Sequence, residues 1–489
     1  MKAVLLALLT GVLFALSLPP FDQAWIAWFA IAQLMIAAQG RRSLEAVGLG
    51  LISGAVAGFV HVGVKGDTTA RLYGYLPYFY MAGVFCIQAL VSSRLRRLLQ
   101  GLPWVIFVAC LGVSLEWLSA LTPLPVTIAL TQYKAIGLIQ FAAITGIWGI
   151  AFLIWLVNAA LAETFLAKKL RLAVLAPPIV LITAALVYSH VTLAHWPPAA
   201  TLKVATIQDH DPQETMLFVP APARDDTPSQ EALTRQAVAQ GARLAVWSEG
   251  SLGSSFIPGA KVNPTEKLAK QLGVYLVVGY SQDSTPKPYN CAAIVGPNGH
   301  TQAVYHKIHL FGGEAKAFQS GKTVKAFDTG IGRVGMEICF DSCFSDITRR
   351  LARDGAQIVA VPNFDPLTEH GDLHRLHSAL MPLRAVENHV AIVRSDPNGH
   401  SLIAGPDGRI VADAPMWQAD ALVGSVPLGD GKGTLYSRWG DWLAYLCVWI
   451  VAGALALLFL RGRKTKQPMR APSTEAEEEP TPTAASASS

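Results

Sequence analysis

The chain has 489 residues, of which 52% are hydrophobic and only 15% are charged, and its mean hydropathy is +0.37. Soluble domains average about 25% charged residues, so this composition argues against a wholly soluble enzyme. The net charge of +5 is small for this length and gives no reason to expect nucleic-acid binding. Six cysteines without a repeated CxxC spacing indicate neither a zinc site nor a disulfide scaffold. The sequence therefore predicts a membrane protein with a soluble part.

Apolar segments of about 20 residues, long enough to cross a bilayer, occur at both ends of the chain. Seven precede residue 195, at about 3–19, 22–39, 46–64, 74–93, 103–121, 136–162 and 171–191, and one follows at about 440–460. The first could instead be a signal peptide, but it has no small-x-small cleavage site and further spans follow at once. We therefore expect eight spans.

Positive charges fall in alternate connections between these spans. They are Arg41 and Arg42, then Arg94, Arg96 and Arg97, then Lys168, Lys169 and Arg171, and finally Arg461, Arg463, Lys464 and Lys466. The positive-inside rule then places both termini in the cytoplasm and the long segment between the last two spans outside it, in the periplasm if the cell has two membranes.

Four regions follow from this topology. We expect a transmembrane domain of seven helices at 1–194, an extracytoplasmic domain at 195–435, a C-terminal transmembrane helix at 436–462 and a tail at 463–489. The tail is rich in Glu, Pro, Thr, Ala and Ser, and such a segment cannot bury a core. It is expected to be disordered in the cytoplasm.

Short β-rich runs alternate with helical patterns in the outer domain. The expected strands are Leu202–Ile207, Leu244–Trp247, Val274–Gly279, Cys291–Val295, Gln302–Tyr305, Gly332–Ile338, Gln357–Val361 and His389–Arg394. The expected helices are Ser229–Gln240, Asn263–Leu272, Ser345–Arg353 and His370–Glu387. This pattern, with a hairpin signal at 296–299, is typical of an α/β domain with mixed sheets.

A carboxylate, an amine and a thiol each follow an apolar strand, which delivers a side chain to the edge of a cleft. They are Glu249, Lys307 and Cys339. Together they could perform acyl transfer, because a carboxylate can take the proton of a thiol while an ammonium lowers the thiol pKa and stabilises an oxyanion. The intervals between them follow no helical or turn period, and each residue alone is more typical of packing or of the surface.

Rival residues exist for two of these roles. Cys343 lies four residues after Cys339, but one turn into the following helix it is better interpreted as packing. Lys316 and Lys322 follow no strand and are interpreted as surface or headgroup contacts.

Other polar residues suggest further sites. His370, His374 and His377 share one helical face, a spacing that metal ligands use, but the proposed chemistry needs no metal and we expect none. Glu116 and Asn158 lie inside predicted spans, where a polar group is either functional or bonded to a neighbouring helix, and the second interpretation is favoured.

Three segments resemble the signature stretches of the nitrilase (carbon–nitrogen hydrolase) superfamily, in the same order. They are Val246-Trp247-Ser248-Glu249, Tyr305-His306-Lys307-Ile308-His309-Leu310 with Gly313-Glu314, and Glu337-Ile338-Cys339-Phe340-Asp341. Stretches in and beside the spans extend the likeness: Leu18-Pro19-Pro20-Phe21, Leu115-Glu116-Trp117-Leu118, Thr145-Gly146-Ile147-Trp148-Gly149 and Val157-Asn158-Ala159-Ala160-Leu161. The chain is therefore similar to the apolipoprotein N-acyltransferase family, a membrane-embedded bacterial branch of that superfamily, over nearly all but its last 25 or so residues.

This resemblance implies a polytopic α-helical membrane domain of about eight spans plus an α/β nitrilase-like domain built as an α-β-β-α sandwich. It implies that Cys339 is the nucleophile, Glu249 its base and Lys307 the group that stabilises the tetrahedral intermediate. Glu314 would be a supporting carboxylate that positions Lys307 or the substrate amine.

The implied reaction moves an acyl chain from a phospholipid to the cysteine as a thioester, and then to the α-amine of the diacylglyceryl-cysteine that begins a lipoprotein. The expected partners are thus a phospholipid donor, a lipoprotein acceptor and the bilayer, with no cofactor and no nucleic acid. A monomer in the bacterial inner membrane is expected, with its catalytic domain on the periplasmic side.

The departures from the family pattern concern the acceptor side. The interval from Lys307 to Glu314 is one residue shorter than usual, and the loop from Glu314 to the nucleophile is short. Phe340 and Asp341 stand where the family commonly has Tyr and Glu, and Asn363 is followed by Phe364-Asp365-Pro366. Three alternatives therefore stay open: another amine acceptor, a membrane-anchored amidohydrolase that uses water, and a non-enzymatic protein with a vestigial triad.

Overall fold

The computed structural model describes residues 1–63, 68–120, 126–196, 200–209, 228–365 and 372–464. The tail from residue 465 onward and His370 lie outside the described residues, so the predictions for them are not tested.

Apolar helices form the first part of the chain. They are α1 (Lys2–Ser17), α2 (Ala27–Ala30), α3 (Ala32–Ala38), α4 (Ser43–Val62), α5 (Thr68–Leu95), α6 (Leu102–Ser119), α7 (Ile136–Ile139), α8 (Ala142–Thr145), α9 (Ile147–Ala167) and α10 (Leu172–Ala194), with short 3₁₀ turns at Ala24–Ile26 and Ile128–Gln132. Among the described residues, five helical segments are long and apolar enough to cross a membrane: Ser43–Val62, Gly74–Leu95, Ile147–Ala167, Leu172–Ala194 and Trp442–Leu460. Shorter apolar helices occupy Lys2–Ser17, Ala24–Ala38 and Leu102–Leu118.

Two predicted spans differ in detail from the helices observed. The second is broken at Ile31, and the sixth begins only at Ile147, after two short helices. Gly146 causes the second break, because its φ of +66° suits glycine and an added Cβ would lie 2.4 Å from the ring of Tyr436. Neither break could be predicted from hydropathy, because the sequence stays apolar across both breaks and hydropathy does not report the direction of the backbone.

Both polar residues inside the predicted spans bond to neighbouring elements, as the sequence favoured. The amide of Asn158 accepts from the N–H groups of Ile31 and Ala32, at 2.8 and 2.9 Å, and donates to the carbonyl of Ala27 at 2.9 Å. Asn158 thereby satisfies the backbone groups that the break in the second segment exposes. Glu116 accepts from Thr127 Oγ1 at 2.6 Å and from the indole of Trp155.

Among the described residues after α10, twelve strands and seven helices follow, and the strands form two six-stranded sheets. The strands are β1 (Thr201–Gln208), β2 (Leu244–Trp247), β3 (Tyr275–Gln282), β4 (Tyr289–Val295), β5 (Thr301–His306), β6 (Phe327–Thr329), β7 (Gly332–Met336), β8 (Ile358–Pro362), β9 (Ala391–Ser395), β10 (Leu402–Ala404), β11 (Ile410–Asp413) and β12 (Asp420–Pro427). The helices are α11 (Gln230–Ala239), α12 (Pro264–Leu272), α13 (Glu314–Ala317), α14 (Asp346–Arg353), α15 (Asp372–Ser378), α16 (Leu380–Asn388) and α17 (Leu435–Trp439). The last apolar helix, α18, runs over Trp442–Lys464.

The two sheets have the strand orders β12-β1-β2-β3-β4-β5 and β11-β10-β9-β8-β7-β6. In each, three central strands run parallel and the outer ones antiparallel, as mixed sheets do. Leu244 and Val246 of β2 face the second sheet, whereas Ala245 and Trp247 face the core beneath α11 and α12. Helices α14 and α16 cover the second sheet. The expected α-β-β-α sandwich is therefore observed.

Local sequence signals account for much of this domain. Asn263 caps α12 by accepting from the N–H groups of Thr265 and Glu266, each at 3.1 Å, and Pro264 opens the helix. Four strands (β6, β10, β11 and β12) were not predicted, and the helix expected at 370–387 is divided at Ala379 into α15 and α16.

Candidate active site

The four predicted residues converge at one edge of the sandwich. Glu249 follows β2, Lys307 follows β5 and Cys339 follows β7. Lys307 Nζ lies 2.8 Å from Glu249 Oε1 and 3.0 Å from Glu314 Oε1, and Lys307 is only 1% exposed. The two sheets meet here, since Glu249 N donates to the carbonyl of Asn363, beyond β8, at 3.3 Å.

The two carboxylate oxygens of Glu249 have different surroundings. Oε1 accepts from Lys307 and from Asn290 Nδ2, at 2.8 and 2.7 Å. Oε2 is buried and has no hydrogen-bond partner among the described residues. Burial raises the pKa of Glu249 to about 7, against the opposing effect of Lys307. Near neutral pH this side chain can therefore exchange a proton through Oε2.

Lys307 keeps its charge although it is buried. Burial alone would lower its pKa, but the carboxylates of Glu249 and Glu314 hold that pKa well above its usual value. Glu314 is itself fixed at the start of α13, where its Oε2 accepts from Phe311 N at 2.8 Å. The ammonium thus supplies a fixed positive charge and hydrogen-bond donors within the site.

Cys339 begins a 3₁₀ helix, Cys339–Cys343, with a φ of +47°, a region that few non-glycine residues adopt. Its thiol lies 3.4 Å from the carbonyl oxygen of Phe364. Burial and the charge of Glu249 raise its pKa well above the usual value, and Lys307 lowers it by less. The expected lowering by Lys307 is present but outweighed, so the resting thiol is protonated and its attack requires a base.

Asp341 ties the loop after Lys307 to the loop of Cys339. Its carboxylate accepts from Tyr305 Oη at 2.8 Å, from His309 N at 2.7 Å and from Ile338 N at 3.2 Å. Sequence reasoning noted Asp341 only as a departure from the family pattern. Its position two residues after the nucleophile was the one available signal.

A buried chain of hydrogen bonds supports the backbone of the nucleophile. Asp365 Oδ1 lies 2.7 Å from His377 Nδ1, and His377 Nε2 lies 2.8 Å from Ser342 Oγ, which donates to the carbonyl of Cys339 at 2.6 Å. Burial opposes protonation of His377, but Asp365 holds its pKa at about 10. His377 is therefore an imidazolium paired with a carboxylate, a role that the histidine spacing alone did not predict.

Ligand-type atoms of Asp365, His374 and Asp396 also lie within 4.8 Å of one another. Arg394 Nη2, however, contacts Asp365 and lies 3.6 Å from Asp396 Oδ2, so an arginine supplies positive charge to these carboxylates. His374 Nδ1 contacts the carbonyl of Gly399. His374 and His377 thus have different partners and do not form one ligand set.

The rival residues lie elsewhere. Lys316 and Lys322 are exposed, and Cys343 is buried at the end of the 3₁₀ helix rather than in α14. The carbonyl of Cys343 accepts from Arg384 Nη2 at 3.0 Å, and its thiol hydrogen-bonds His377.

An aromatic cluster adjoins the nucleophile. The ring of Phe340 lies edge-on to those of Phe311 and Phe344, with centroids 4.9 and 5.4 Å apart, and His309 stacks on Phe344 at 3.5 Å. Phe340 and Phe344 are only partly buried. This surface is suited to an apolar substrate group next to the thiol.

Comparison with known proteins covers both parts of the chain. Residues 223–434 match the carbon–nitrogen hydrolase family, and residues 10–160 match the apolipoprotein N-acyltransferase N-terminal domain. An apolipoprotein N-acyltransferase of Geobacter metallireducens is 31% identical over 94% of this chain and 95% of its own length. Apolipoprotein N-acyltransferase 2 of Treponema pallidum is 27% identical over 70% of this chain and 73% of its own length.

Two further matches cover a smaller share of the chain. Human omega-amidase NIT2 is 30% identical over 38% of this chain and 77% of its own length. A solved amidase of the nitrilase superfamily from Nesterenkonia AN1 is 23% identical, covers 50% of this chain and 95% of its own length, and has a TM-score of 0.39.

The resemblance and the fold class predicted from the sequence are thus confirmed, and the chain is a membrane protein with a nitrilase-like domain. It belongs to the apolipoprotein N-acyltransferase family of the nitrilase superfamily.

Proposed function

We propose that this protein transfers a fatty acyl chain from a membrane phospholipid, through a thioester on Cys339, to the α-amine of the diacylglyceryl-cysteine of an apolipoprotein. The family shares both the membrane part and the outer domain with this chain. The match to the omega-amidase covers only 38% of this chain. A substrate that enters from the bilayer gives the apolar helices a role beyond anchoring.

In the first half-reaction Glu249 takes the proton of the Cys339 thiol while the sulfur attacks the ester carbonyl of the phospholipid. The oxyanion that develops is stabilised by the Lys307 ammonium. The intermediate collapses, the ester C–O bond breaks, and the leaving lysophospholipid oxygen takes the proton from Glu249. The products are an S-acyl cysteine and a lysophospholipid.

In the second half-reaction the lipoprotein amine attacks the thioester carbonyl. Glu249 accepts a proton from the attacking nitrogen, and the second tetrahedral intermediate is stabilised by the same ammonium. The C–S bond breaks and the departing sulfur receives the proton from Glu249. An amide forms and the thiol is restored, so protons and atoms balance over the cycle.

Glu249 supports this function most directly. One of its oxygens is held by Lys307 and Asn290, while the other is buried without a partner among the described residues. A buried carboxylate with a pKa of about 7 can accept a proton and return it within one turnover. This is the requirement for a thiol that is protonated at rest.

We further propose that the protein is a monomer in the bacterial inner membrane, with residues 195–435 on the periplasmic side. The regions 1–194 and 436–462 contain the spans, and 463–489 is the cytoplasmic tail. The charge pattern of the connections supports this orientation.

The function is tested by the intact mass of purified protein after incubation with phospholipid in the absence of an acceptor. Wild-type protein is expected to gain a hydroxylamine-labile acyl group that maps to Cys339. Cys339→Ser should gain no thioester. Cys86→Ser, in helix α5 of the membrane part, is the matched control and should be acylated like the wild type.

A synthetic diacylglyceryl-cysteine peptide added next should discharge the acyl-enzyme and gain an amide-linked chain. Release of free fatty acid at the same rate with and without the peptide would instead favour the amidohydrolase. Acylation that survives in Cys339→Ser, or its absence in folded wild-type protein that binds phospholipid, would overturn the assigned nucleophile.

A further inference from the structure

A cavity of about 260 Å³ lies between the outer domain and the ends of the membrane helices. Trp117 near the end of α6 and Trp148 at the start of α9 line it from one side. His309, Phe344 and Arg349 line it from the outer domain. Tryptophans at the ends of apolar helices are typical of the level of lipid headgroups, so the cavity is expected at that depth.

Arg349 contributes a cation whose hydrogen-bonding capacity is unused. The side chain is half-buried, and its Nε is buried without a hydrogen-bond partner among the residues that the structure describes. A Cβ added to Gly440 would lie 2.2 Å from Arg349 Nη1, so glycine at 440 leaves room for the guanidinium. The arginine is therefore held in place by packing rather than by a carboxylate.

The carboxylates around the cavity have other partners. Asp441 accepts from Trp148 Nε1 and Tyr436 Oη, each at 2.8 Å, and from Trp117 Nε1 at 3.2 Å. Asp346 lies 2.9 Å from His309 Nε2 and 3.9 Å from Arg350.

Glu116 supplies the third carboxylate that lines this cavity, and it accepts hydrogen bonds from Thr127 Oγ1 and from the N–H of Ile128. Each of these three carboxylates thus accepts hydrogen bonds from the protein, whereas Arg349 Nε has no acceptor among the described residues. Arg349 is therefore the group in this cavity that can take up an anionic ligand.

The cavity adjoins the nucleophile through Cys343, the last residue of the 3₁₀ helix that Cys339 begins. Pockets for drug-sized ligands have about 300–1,000 Å³. A slightly smaller volume suits a headgroup but not two acyl chains. The guanidinium plane matches the geometry of a phosphate with two parallel hydrogen bonds.

We propose that this cavity is a phosphate site in which Arg349 binds the phosphodiester of the acyl-donor phospholipid. The assignment rests on the proposed function, since it gives the donor a fixed headgroup position beside Cys339. A phosphate held there would orient the glycerol esters toward the thiol.

Binding is measured on Cys339→Ala protein, so that no chemistry intervenes, by native mass spectrometry in detergent with phosphatidylethanolamine or with diacylglycerol of the same chains. Arg349→Gln is expected to weaken retention of the phospholipid about tenfold, as for the loss of a charge-assisted contact, and to leave diacylglycerol unchanged. Arg349→Lys keeps the charge and should lose less. Arg353→Gln, exposed at the end of the same helix and outside the cavity lining, is the matched control and should behave like the parent.

Competition by inorganic phosphate tests whether the site binds the phosphodiester of a lipid or free phosphate. Modest competition by millimolar phosphate fits a site built for a lipid phosphodiester. Phosphate binding that depends on Arg349, with phospholipid retention that does not, would overturn the lipid assignment. Equal losses for phospholipid and diacylglycerol would overturn the phosphate site.

Kinetic measurements on protein that retains Cys339 distinguish this proposal from the function on which it rests. Arg349→Gln should raise the KM for phospholipid in acyl-enzyme formation and leave acylation by a short-chain thioester unchanged. If wild-type protein forms no thioester while lipid retention still depends on Arg349, the acyltransferase assignment fails and the phosphate site stands.

Discussion

At the scale of single residues, the site depends on the different hydrogen-bond partners of the two carboxylate oxygens of Glu249. Lys307 and Asn290 fix one oxygen, which leaves the other for the proposed role of base. The ammonium also keeps part of the charge on the carboxylate, since burial alone would raise its pKa further. In the proposed mechanism the same pair thus provides both an oxyanion donor and a proton acceptor.

Glu249→Gln should slow formation of the acyl-enzyme by about 10²–10⁴-fold, because an amide cannot take the thiol proton. In the wild type the rate should rise with pH through about 7 and level off above it, since the ionised carboxylate is the active form. Intact-mass time courses between pH 5.5 and 9 measure both effects.

Glu231→Gln is the control for this test, since Glu231 is an exposed residue paired only with Arg235 on the surface. It should keep both the rate and the pH profile. A wild-type profile that is flat between pH 6 and 8, or a Glu249→Gln variant as fast as the wild type, would exclude Glu249 as the base.

The sequence proposes Glu249, Lys307, Cys339 and Glu314 as site residues because motif resemblance identifies residue types in order, and the structure brings these side chains to one edge of the sandwich. It could not find the support from Asp365, His377 and Ser342, whose contacts span 12 and 35 positions along the chain. The direction in which the pKa of the Cys339 thiol shifts could not be predicted either, because it depends on burial, which no local sequence pattern reports.

At the scale of elements, a polar residue satisfies the backbone at one of the two breaks in the membrane helices. Asn158 on α9 bonds the exposed backbone at Ile31, so an interrupted segment is satisfied by its neighbour. The sequence predicted the interhelical role of Asn158 but not the break.

Asn158→Ala should destabilise the protein by about 1–3 kcal/mol, because it removes four hydrogen bonds and leaves buried N–H groups unpaired. Thermal unfolding in detergent measures this loss. Thr164→Ala on the same helix removes only a bond to the carbonyl of Ala160 and should change stability by less than about 0.5 kcal/mol. Equal melting temperatures for the two variants would show that Asn158 contributes nothing beyond its own helix.

Two of the four strands that the sequence does not predict, β11 and β12, lack a continuous apolar run. β11 is partly exposed, and β12 contains Gly424 and ends in Pro427, so neither has the apolar run that marks a buried strand. By contrast, β2 is buried throughout and was predicted with its observed bounds. Pairing with β1 forms β12 despite its composition, and pairing is a tertiary effect.

At the scale of the whole molecule, the two ends of helix α9 have different partners. Near its C-terminus, Glu163 lies 2.8 Å from Arg96 Nε and 2.9 Å from Arg171 Nη1, which brings two arginine-bearing connections together. At its N-terminus, Ile147 N donates to Glu387 of the outer domain at 2.8 Å. Glu387 pairs with Arg384, which binds the carbonyls of Ser342 and Cys343. The nucleophile loop is therefore connected to one end of the bundle and the positive connections to the other.

This polarity makes the orientation testable with single added cysteines at exposed, uncharged positions, so that the positive charges that set topology stay unchanged. Val262→Cys, 85% exposed in the outer domain, should react with a membrane-impermeant maleimide on intact spheroplasts. Gln100→Cys, in an arginine-bearing connection, should react only after the membrane is permeabilised.

The parent protein is the control, since its six cysteines are buried or half-buried and should label weakly. The reverse pattern would place the outer domain in the cytoplasm, where it could not meet a translocated lipoprotein, and would overturn the proposed function along with the orientation. Because α9 carries a positive cluster at one end and the nucleophile loop at the other, a single measured side fixes the side of the active site as well.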